Sequence, residues 1–271
     1  MLLREYYSNA SEGSWGSMKH TILLIHGLGT NSKVWSEYTS FFSSYGFNVI
    51  APSLRYHDRE DSCKELGVVS LLDYIEDLEN LINTFETRPI IIGYSMGGLL
   101  ALKLMEKDLG KLAICLVPAA PRKINAISFS VLRLFLRNLL VWQFWKKPHP
   151  PRFRSAYIGA LGHLPILEAK RIFNRISSHE SGRVGLELGF PFMDPKRASE
   201  VNENLIKRPI LIIGAEKDKV TPIKIARKVA KKTTRVSDYK EFAKFGHWLM
   251  SGEEFQVVSA YCLKWIFKHL D

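Results

Sequence analysis

"IIIGYSMGG" (residues 90–98) is the stretch on which the fold turns. Ile90, Ile91 and Ile92 make a short apolar run, as expected of a strand buried on both faces. The run closes at Gly93, a serine stands at 95, and Gly97 and Gly98 lie in "MGGLLALKLMEK" (96–107), which reads as a helix. A strand that turns this sharply into a helix forces its central residue into a strained conformation. Side chains two residues before and after that centre would collide with the strand and the helix, and Gly93 and Gly97 carry none. The turn therefore pushes the Ser95 hydroxyl out over the sheet edge, at a helix amino end. Free N–H groups and the helix dipole favour negative charge there.

Outward from this turn the chain alternates between strand-like and helix-like segments. "TILLIHG" (21–27), "FNVIAP" (47–52), "PIIIG" (89–93), "KLAICLVP" (111–118), "PILIIG" (209–214) and "DYKEF" (238–242) read as strands. Between them "SKVWSEYTSFFSSYG" (32–46) places Trp35, Tyr38, Phe41, Phe42 and Tyr45 at helical spacing and ends on Gly46 as a C-cap. "SLLDYIEDLENLINTF" (70–85) carries a stripe of Leu71, Leu72, Ile75, Leu78, Ile82 and Phe85. "PIKIARKVAKK" (222–232) and "EEFQVVSAYCLKWIFKHL" (253–270) are two further helices. Such alternation predicts an α/β fold with a mostly parallel sheet covered by helices on both faces.

The alternation breaks once, between about 119 and 208, where helical pieces and Pro-rich joints such as "KKPHPPR" (146–152) replace it. An insertion at the carboxyl end of a parallel strand would overhang the ligand site. The expected organisation is a core of residues 1–120 and 205–271 with a helical cap over 121–204.

The 271 residues include 38 Lys plus Arg and 27 Asp plus Glu, a formal charge of +11. The basic run "KIARKVAKKTTR" (224–235) has no interleaved aromatic residues of the kind that stack on bases, so no nucleic-acid partner is expected. Cys63, Cys115 and Cys262 form no CxxC pair and hence no disulfide framework or zinc motif. No metal and no cofactor are expected. The amino-terminal "MLLREYYSNASEGSWG" has no apolar core typical of a signal peptide, and no run of about 18 apolar residues occurs, so the expected location is cytoplasmic.

A serine hydroxyl needs a base within hydrogen-bond reach, and the base needs an orienting acid. His247, in "FGHWLM", lies between the last strand and the last helix, at the sheet edge where Ser95 emerges. His26 closes the first strand and reads as structural. His57, in "LRYHDRE", follows the second strand and is a candidate for the pocket wall. For the acid, "IIGAEKDKVTP" (212–222) offers Asp218 with Glu216 as competitor; Asp218 is better placed, just before the helix start. The preceding strand ends in "VPAAPRKIN" (117–125), which has no acid. Two N–H donors are required for an oxyanion: Met96, directly after the serine, and Leu28 in "HGLGT", where Gly27 and Gly29 let the backbone approach a ligand.

These segments resemble the α/β-hydrolase superfamily, and look most like the small capped serine hydrolases that include carboxylesterases and monoacylglycerol lipases. "HGLG", "GYSMGG", "GAEKDKVTP" and "GHW" stand in the family's order and spacing, over roughly 20–120 and 205–271. The resemblance implies an eight-stranded sheet and the chain order Ser95, Asp218, His247 for nucleophile, acid and base. The serine argues against dehalogenase and epoxide-hydrolase relatives, which use aspartate at that turn. The sequence departs after "VIAPSLR": where many relatives carry a glycine-bearing turn, this chain has "YHDREDSC" (56–63).

The expected function is hydrolysis of carboxylic esters, acyl esters or lysolipid-like molecules being the small-molecule substrates. Thioesterase or other acyl-hydrolase activity, and a non-hydrolytic ligand-binding role that keeps the pocket, stand as alternatives. "ISFSVLRLFLRNLLVWQFW" (127–145) is too apolar for one helical face, with Arg133 and Arg137 on one side. It reads as a cap helix roofing an acyl pocket, and leaves peripheral lipid contact through the cap open.

Overall fold

Each of the six segments read as strands becomes one. They are β1 (Thr21–Ile25), β2 (Asn48–Ile50), β3 (Ile90–Tyr94), β4 (Leu112–Leu116), β7 (Ile210–Ala215) and β8 (Ser237–Phe242). In the computed structural model, which describes residues 20–58, 63–124 and 141–270, they form one sheet of order β2-β1-β3-β4-β7-β8. Every pairing in it is parallel. The sheet therefore has six strands among the described residues rather than eight. The remaining two strands, β5 (Pro148–His149) and β6 (Glu180–Ser181), form a separate antiparallel pair within the insertion. β3, β4 and β7 are buried throughout, whereas the edge strands β2 and β8 are partly exposed.

The α-helices among the described residues are α1 (Ser36–Ser44), α2 (Leu71–Ile82), α3 (Met96–Glu106), α4 (Phe153–Ala156), α5 (Ile166–Ile176), α6 (Gly182–Gly189), α7 (Lys224–Lys232) and α8 (Gly252–Leu270). Successive strand residues face opposite ways, so the sheet serves two cores. Leu23, Ile25, Ile91 and Ile212 pack toward α2, α3 and α7. Ile22, Leu24, Ile90 and Ile213 pack toward α1 and α8, with Trp35, Tyr38 and Phe42 among them. Cys115 lies in the first core and Cys262 in the second, where burial pushes both thiols up in pKa.

The stripe anticipated on α2 needs one correction. Tyr74 points inward and Leu72 outward, because the buried face follows Leu71, Tyr74, Ile75, Leu78 and Ile82. Ser70 and Asp73 close a capping box at its start. The insertion is tied down by buried charge. Arg183 donates to Glu187 at 2.8 Å and to Asp194 at 2.6 Å, and Glu187 also accepts from the Ser70 hydroxyl and the Leu71 N–H. Of the stretch expected as a cap helix over 127–145, residues 127–140 lie outside the described residues. Its last part forms a short turn at Phe144–Lys146, with Trp142 exposed.

Candidate active site

Parallel strands present all their carboxyl ends on one edge, and the loops there meet. Ile25 pairs with Gly93 across β1 and β3, so the "HGLG" loop lies beside the turn at Ser95. Ser95 adopts φ 55, ψ −115, a conformation rare for a residue with a side chain. The flanking glycines are required by close approach. A Cβ on Gly93 would come within 2.0 Å of the Gly97 carbonyl oxygen, and one on Gly97 within 2.0 Å of that of Ile25. The strained backbone is clamped: the Ser95 N–H donates to Leu116 O at 2.9 Å, and its carbonyl accepts from Gly98 and Ala119, both at 2.9 Å.

β7 and β8 deliver the other two groups. The Ser95 hydroxyl is 3.2 Å from His247 Nε2, and His247 Nδ1 is 2.7 Å from Asp218 Oδ2. With Nδ1–H donating to the carboxylate, Nε2 is left as the acceptor for the serine proton. All three side chains are buried. Asp218 is itself fixed: Oδ1 accepts the N–H groups of Val220 at 2.7 Å and Thr221 at 2.8 Å. The Thr221 hydroxyl lies 2.8 Å from Oδ2, 3.0 Å from Val117 O and 3.3 Å from His247 Nδ1. Glu216, the competing acid, is exposed. On the far side of the imidazole, the Tyr94 ring packs against it and the Tyr94 hydroxyl donates to His247 O at 3.2 Å.

These groups open into a cavity of about 320 Å³, at the lower end of the range for small-molecule sites. Leu28 and Met96 both line it, and among the described residues neither N–H has a protein acceptor. The apolar wall is supplied largely by the insertion, through Phe144, Leu161, Phe173, Leu188 and Phe190. His149, which no motif singles out, also lines it and donates from Nε2 to Phe144 O at 2.9 Å. Among the described residues no group of three or more His, Cys, Asp or Glu side chains converges as a metal-binding set.

The other two histidines at this edge separate cleanly. His26 is fully buried, donates from Nδ1 to Gly27 O at 2.9 Å and accepts the Leu54 N–H at Nε2, also at 2.9 Å. Desolvation lowers its pKa to about 3, which keeps it neutral and structural. His57, a candidate for the pocket wall, does not line the cavity. It is buried behind it, donating to Glu180 at 3.2 Å and to Arg55 O at 3.0 Å. Glu180, in "SSHESG" (177–182), belongs to no motif, yet it lines the cavity. Apart from the adjacent Ser181 N–H, its hydrogen-bond partners lie 106, 123 and 151 positions away, so no local pattern could reveal it.

The comparisons with known proteins agree with this architecture. Over 83 residues, 30% of this chain, the sequence is 35% identical to an uncharacterized protein of Mycobacterium tuberculosis, and that match spans 24% of the relative's length. Over 249 residues it is 25% identical to an AB hydrolase superfamily protein of Bacillus subtilis, covering 83% of this chain and 84% of the relative. The fold is similar to that of a Paleococcus ferrophilus monoacylglycerol lipase, at TM-score 0.69 and 19% identity, over 92% of this chain and 94% of that one. The model of the alpha/beta hydrolase family matches residues 22–258, a span that runs from β1 into α8 and takes in the elbow, the cavity and both loops that face Ser95: the chain belongs to the alpha/beta hydrolase family.

Proposed function

We propose that the protein is a serine hydrolase of carboxylic esters, with acyl esters or lysolipid-like molecules as substrates. The observation that carries this is the unbroken hydrogen-bonded chain from Ser95 through His247 to Asp218 at the floor of an apolar cavity. Ser95 attacks the carbonyl carbon while its proton passes to His247 Nε2. Asp218 holds the imidazole in the tautomer that accepts this proton and stabilises the imidazolium that results. The N–H groups of Leu28 and Met96 receive the oxyanion. As the tetrahedral intermediate collapses, the imidazolium protonates the departing alkoxide and an acyl-enzyme remains. Water, deprotonated by the same imidazole, then attacks the acyl carbon, and Ser95 leaves with the proton returned.

Residues 121–204 act as the cap of this site. The apolar wall they contribute favours an acyl chain over a small polar substrate, in keeping with the lipase named among the structural relatives. Trp142, Leu167 and Phe192 in this segment are 79%, 69% and 67% exposed, and Lys146, Lys147, Lys170 and Arg171 lie close to them in sequence. That combination supports peripheral contact with lipid. Among the described residues no helix is long and apolar enough to cross a membrane.

The test is turnover of p-nitrophenyl esters from acetyl to palmitoyl by wild type and Ser95→Ala, with fluorophosphonate labelling of Ser95. Activity and labelling that vanish together in the variant are expected, and the chain-length optimum sizes the pocket. A folded wild type with neither turnover nor labelling refutes the hydrolase reading and favours ligand binding without turnover.

A further inference from the structure

The loop that offers the Leu28 N–H is held from two sides. Across a trans peptide the C=O and N–H point in opposite directions, so fixing one fixes the other. The Gly27 carbonyl accepts from His26 Nδ1 at 2.9 Å and from the Thr30 hydroxyl at 2.9 Å, which sets the direction of the Leu28 N–H. The next peptide is set by a residue of the insertion: the Gly29 N–H donates to Glu180 Oε2 at 2.9 Å. The same stretch of the insertion continues along the loop. Ser178 N–H donates to Gly29 O at 2.9 Å, Asn31 N–H donates to Ile176 O at 3.0 Å, and Thr30 bridges Ser177.

Glu180 is a buried carboxylate whose acceptor sites are all in use. Oε1 accepts from the Tyr74 hydroxyl at 3.0 Å and the Ser181 N–H at 2.8 Å; Oε2 accepts from Gly29 and His57. A carboxylate lining the cavity in which an oxyanion forms would oppose it unless its charge were balanced. His57 balances it. The carboxylate raises the imidazole's pKa against the lowering effect of burial, and the imidazolium lowers that of the carboxylate. Both ring nitrogens of His57 face acceptors, Arg55 O and Glu180 Oε2, an arrangement that favours the doubly protonated imidazole. Tyr74 comes from α2, His57 from the loop after β2 and Glu180 from the insertion, so the network joins three separate parts of the chain behind one peptide group.

The geometry points to Glu180, neutralised by His57, as the positioning residue that holds the 28–29 peptide against rotation and thereby keeps the Leu28 carbonyl oxygen from competing for the space in front of the Leu28 N–H. Rotation of that peptide would swing the Leu28 carbonyl oxygen toward the space an oxyanion needs. The inference rests on the proposed ester hydrolysis at Ser95. It adds that the cap segment builds the oxyanion site from behind as well as covering it.

The test compares a p-nitrophenyl ester with its thiono analogue, whose sulfur accepts hydrogen bonds poorly, in wild type, Glu180→Ala and Glu180→Gln. Ser95→Ala serves as the control, and thermal unfolding reports on folding. Removing an oxyanion donor outright costs about 10²–10³ in kcat, so loosening one is expected to cost about tenfold. Glu180→Ala should lose about tenfold in kcat toward the oxygen ester with KM within about threefold, and its oxygen-to-thiono rate ratio should fall by a similar factor. Glu180→Gln, with one acceptor oxygen left for several donors, should fall between wild type and alanine. A general loosening of the fold would lower both substrates alike and leave the ratio unchanged. An active wild type whose two Glu180 variants keep its ratio overturns the positioning role alone. A wild type with no Ser95-dependent turnover overturns the hydrolase reading and this role with it. If the alanine variant does not fold, the glutamine variant decides: a lowered ratio supports the role and an unchanged one refutes it.

Discussion

Asp218→Asn is the substitution that tests the proposed chemistry most directly, because the structure dictates how the new amide must sit. Asp218 Oδ1 accepts the N–H groups of Val220 at 2.7 Å and Thr221 at 2.8 Å. An asparagine has one acceptor oxygen and one NH2 group. Turning the NH2 toward those two buried N–H groups would leave both unsatisfied, at about 1–3 kcal/mol each. The oxygen therefore stays at the Oδ1 position, and the NH2 takes the place of Oδ2, facing His247 Nδ1 where the carboxylate stood at 2.7 Å. A donor at that point forces Nδ1 to become the acceptor and moves the ring proton to Nε2. Nε2–H cannot take the proton of a serine hydroxyl 3.2 Å away. In Ser-His-Asp sites this tautomer error lowers kcat by about 10⁴. We expect 10³–10⁴ here, or about 4–5.5 kcal/mol of lost transition-state stabilisation. Melting should be little changed, since the two backbone bonds survive. The assay is steady-state hydrolysis of the best p-nitrophenyl ester by wild type, Asp218→Asn and Glu216→Gln. Glu216 is exposed, and its variant should stay within about twofold of wild type, as expected of surface changes. A loss below tenfold in Asp218→Asn, a loss confined to KM, or an equal loss in Glu216→Gln would refute the assignment.

Two further outcomes bear on the scaffold. Gly97→Ala would set a Cβ 2.0 Å from the Ile25 carbonyl oxygen and 2.7 Å from that of His26, both backbone atoms that cannot step aside; we expect about 3 kcal/mol of destabilisation and a Tm lower by about 6–12 °C in thermal unfolding. His26, with a folded pKa lowered to about 3, binds fewer protons folded than unfolded below neutrality, so its contribution to stability falls with pH. Between pH 7 and pH 5 this amounts to about 2 kcal/mol. His57 slopes the opposite way over the same range, because its folded pKa is raised and its contribution is full below the unfolded value. Denaturant unfolding of wild type and His26→Gln at both pH values should therefore show the wild type losing about 2 kcal/mol more than the variant, and equal losses would count against a neutral, structural His26.

The order of elements and the position of Ser95, Asp218 and His247 were legible because each is encoded locally. Strand identity lies in short apolar runs, as in "IIIGY", and the elbow lies in two glycines flanking one serine. Parallel pairing then places every strand's carboxyl end on one edge, so residues that follow β1, β3, β7 and β8 had to converge. The inward turn of Tyr74 and the outward turn of Leu72 were misread because both fit a helical stripe, and only the packed neighbours decide which side is buried. Among the described residues the sheet has six strands, fewer than the family resemblance implied and equal to the number of strand-like segments that could be counted along the chain.

The network behind the "HGLG" loop could not be read in advance. Glu180 has no hydrogen-bond partner at helical spacing and no place in a motif. Its role depends on Tyr74 and Gly29, 106 and 151 residues away. A buried carboxylate is tolerated only where donors from several elements meet, and that meeting is created by the fold. The chain's own order of residues thus determined the strands, the elbow and the sheet edge at which the three candidate groups gather, because each follows from local sterics and periodicity. Tertiary structure alone decided that His57 would be buried against Glu180 rather than line the cavity, and that the insertion would reach under the loop, because both depend on groups brought together from distant parts of the chain.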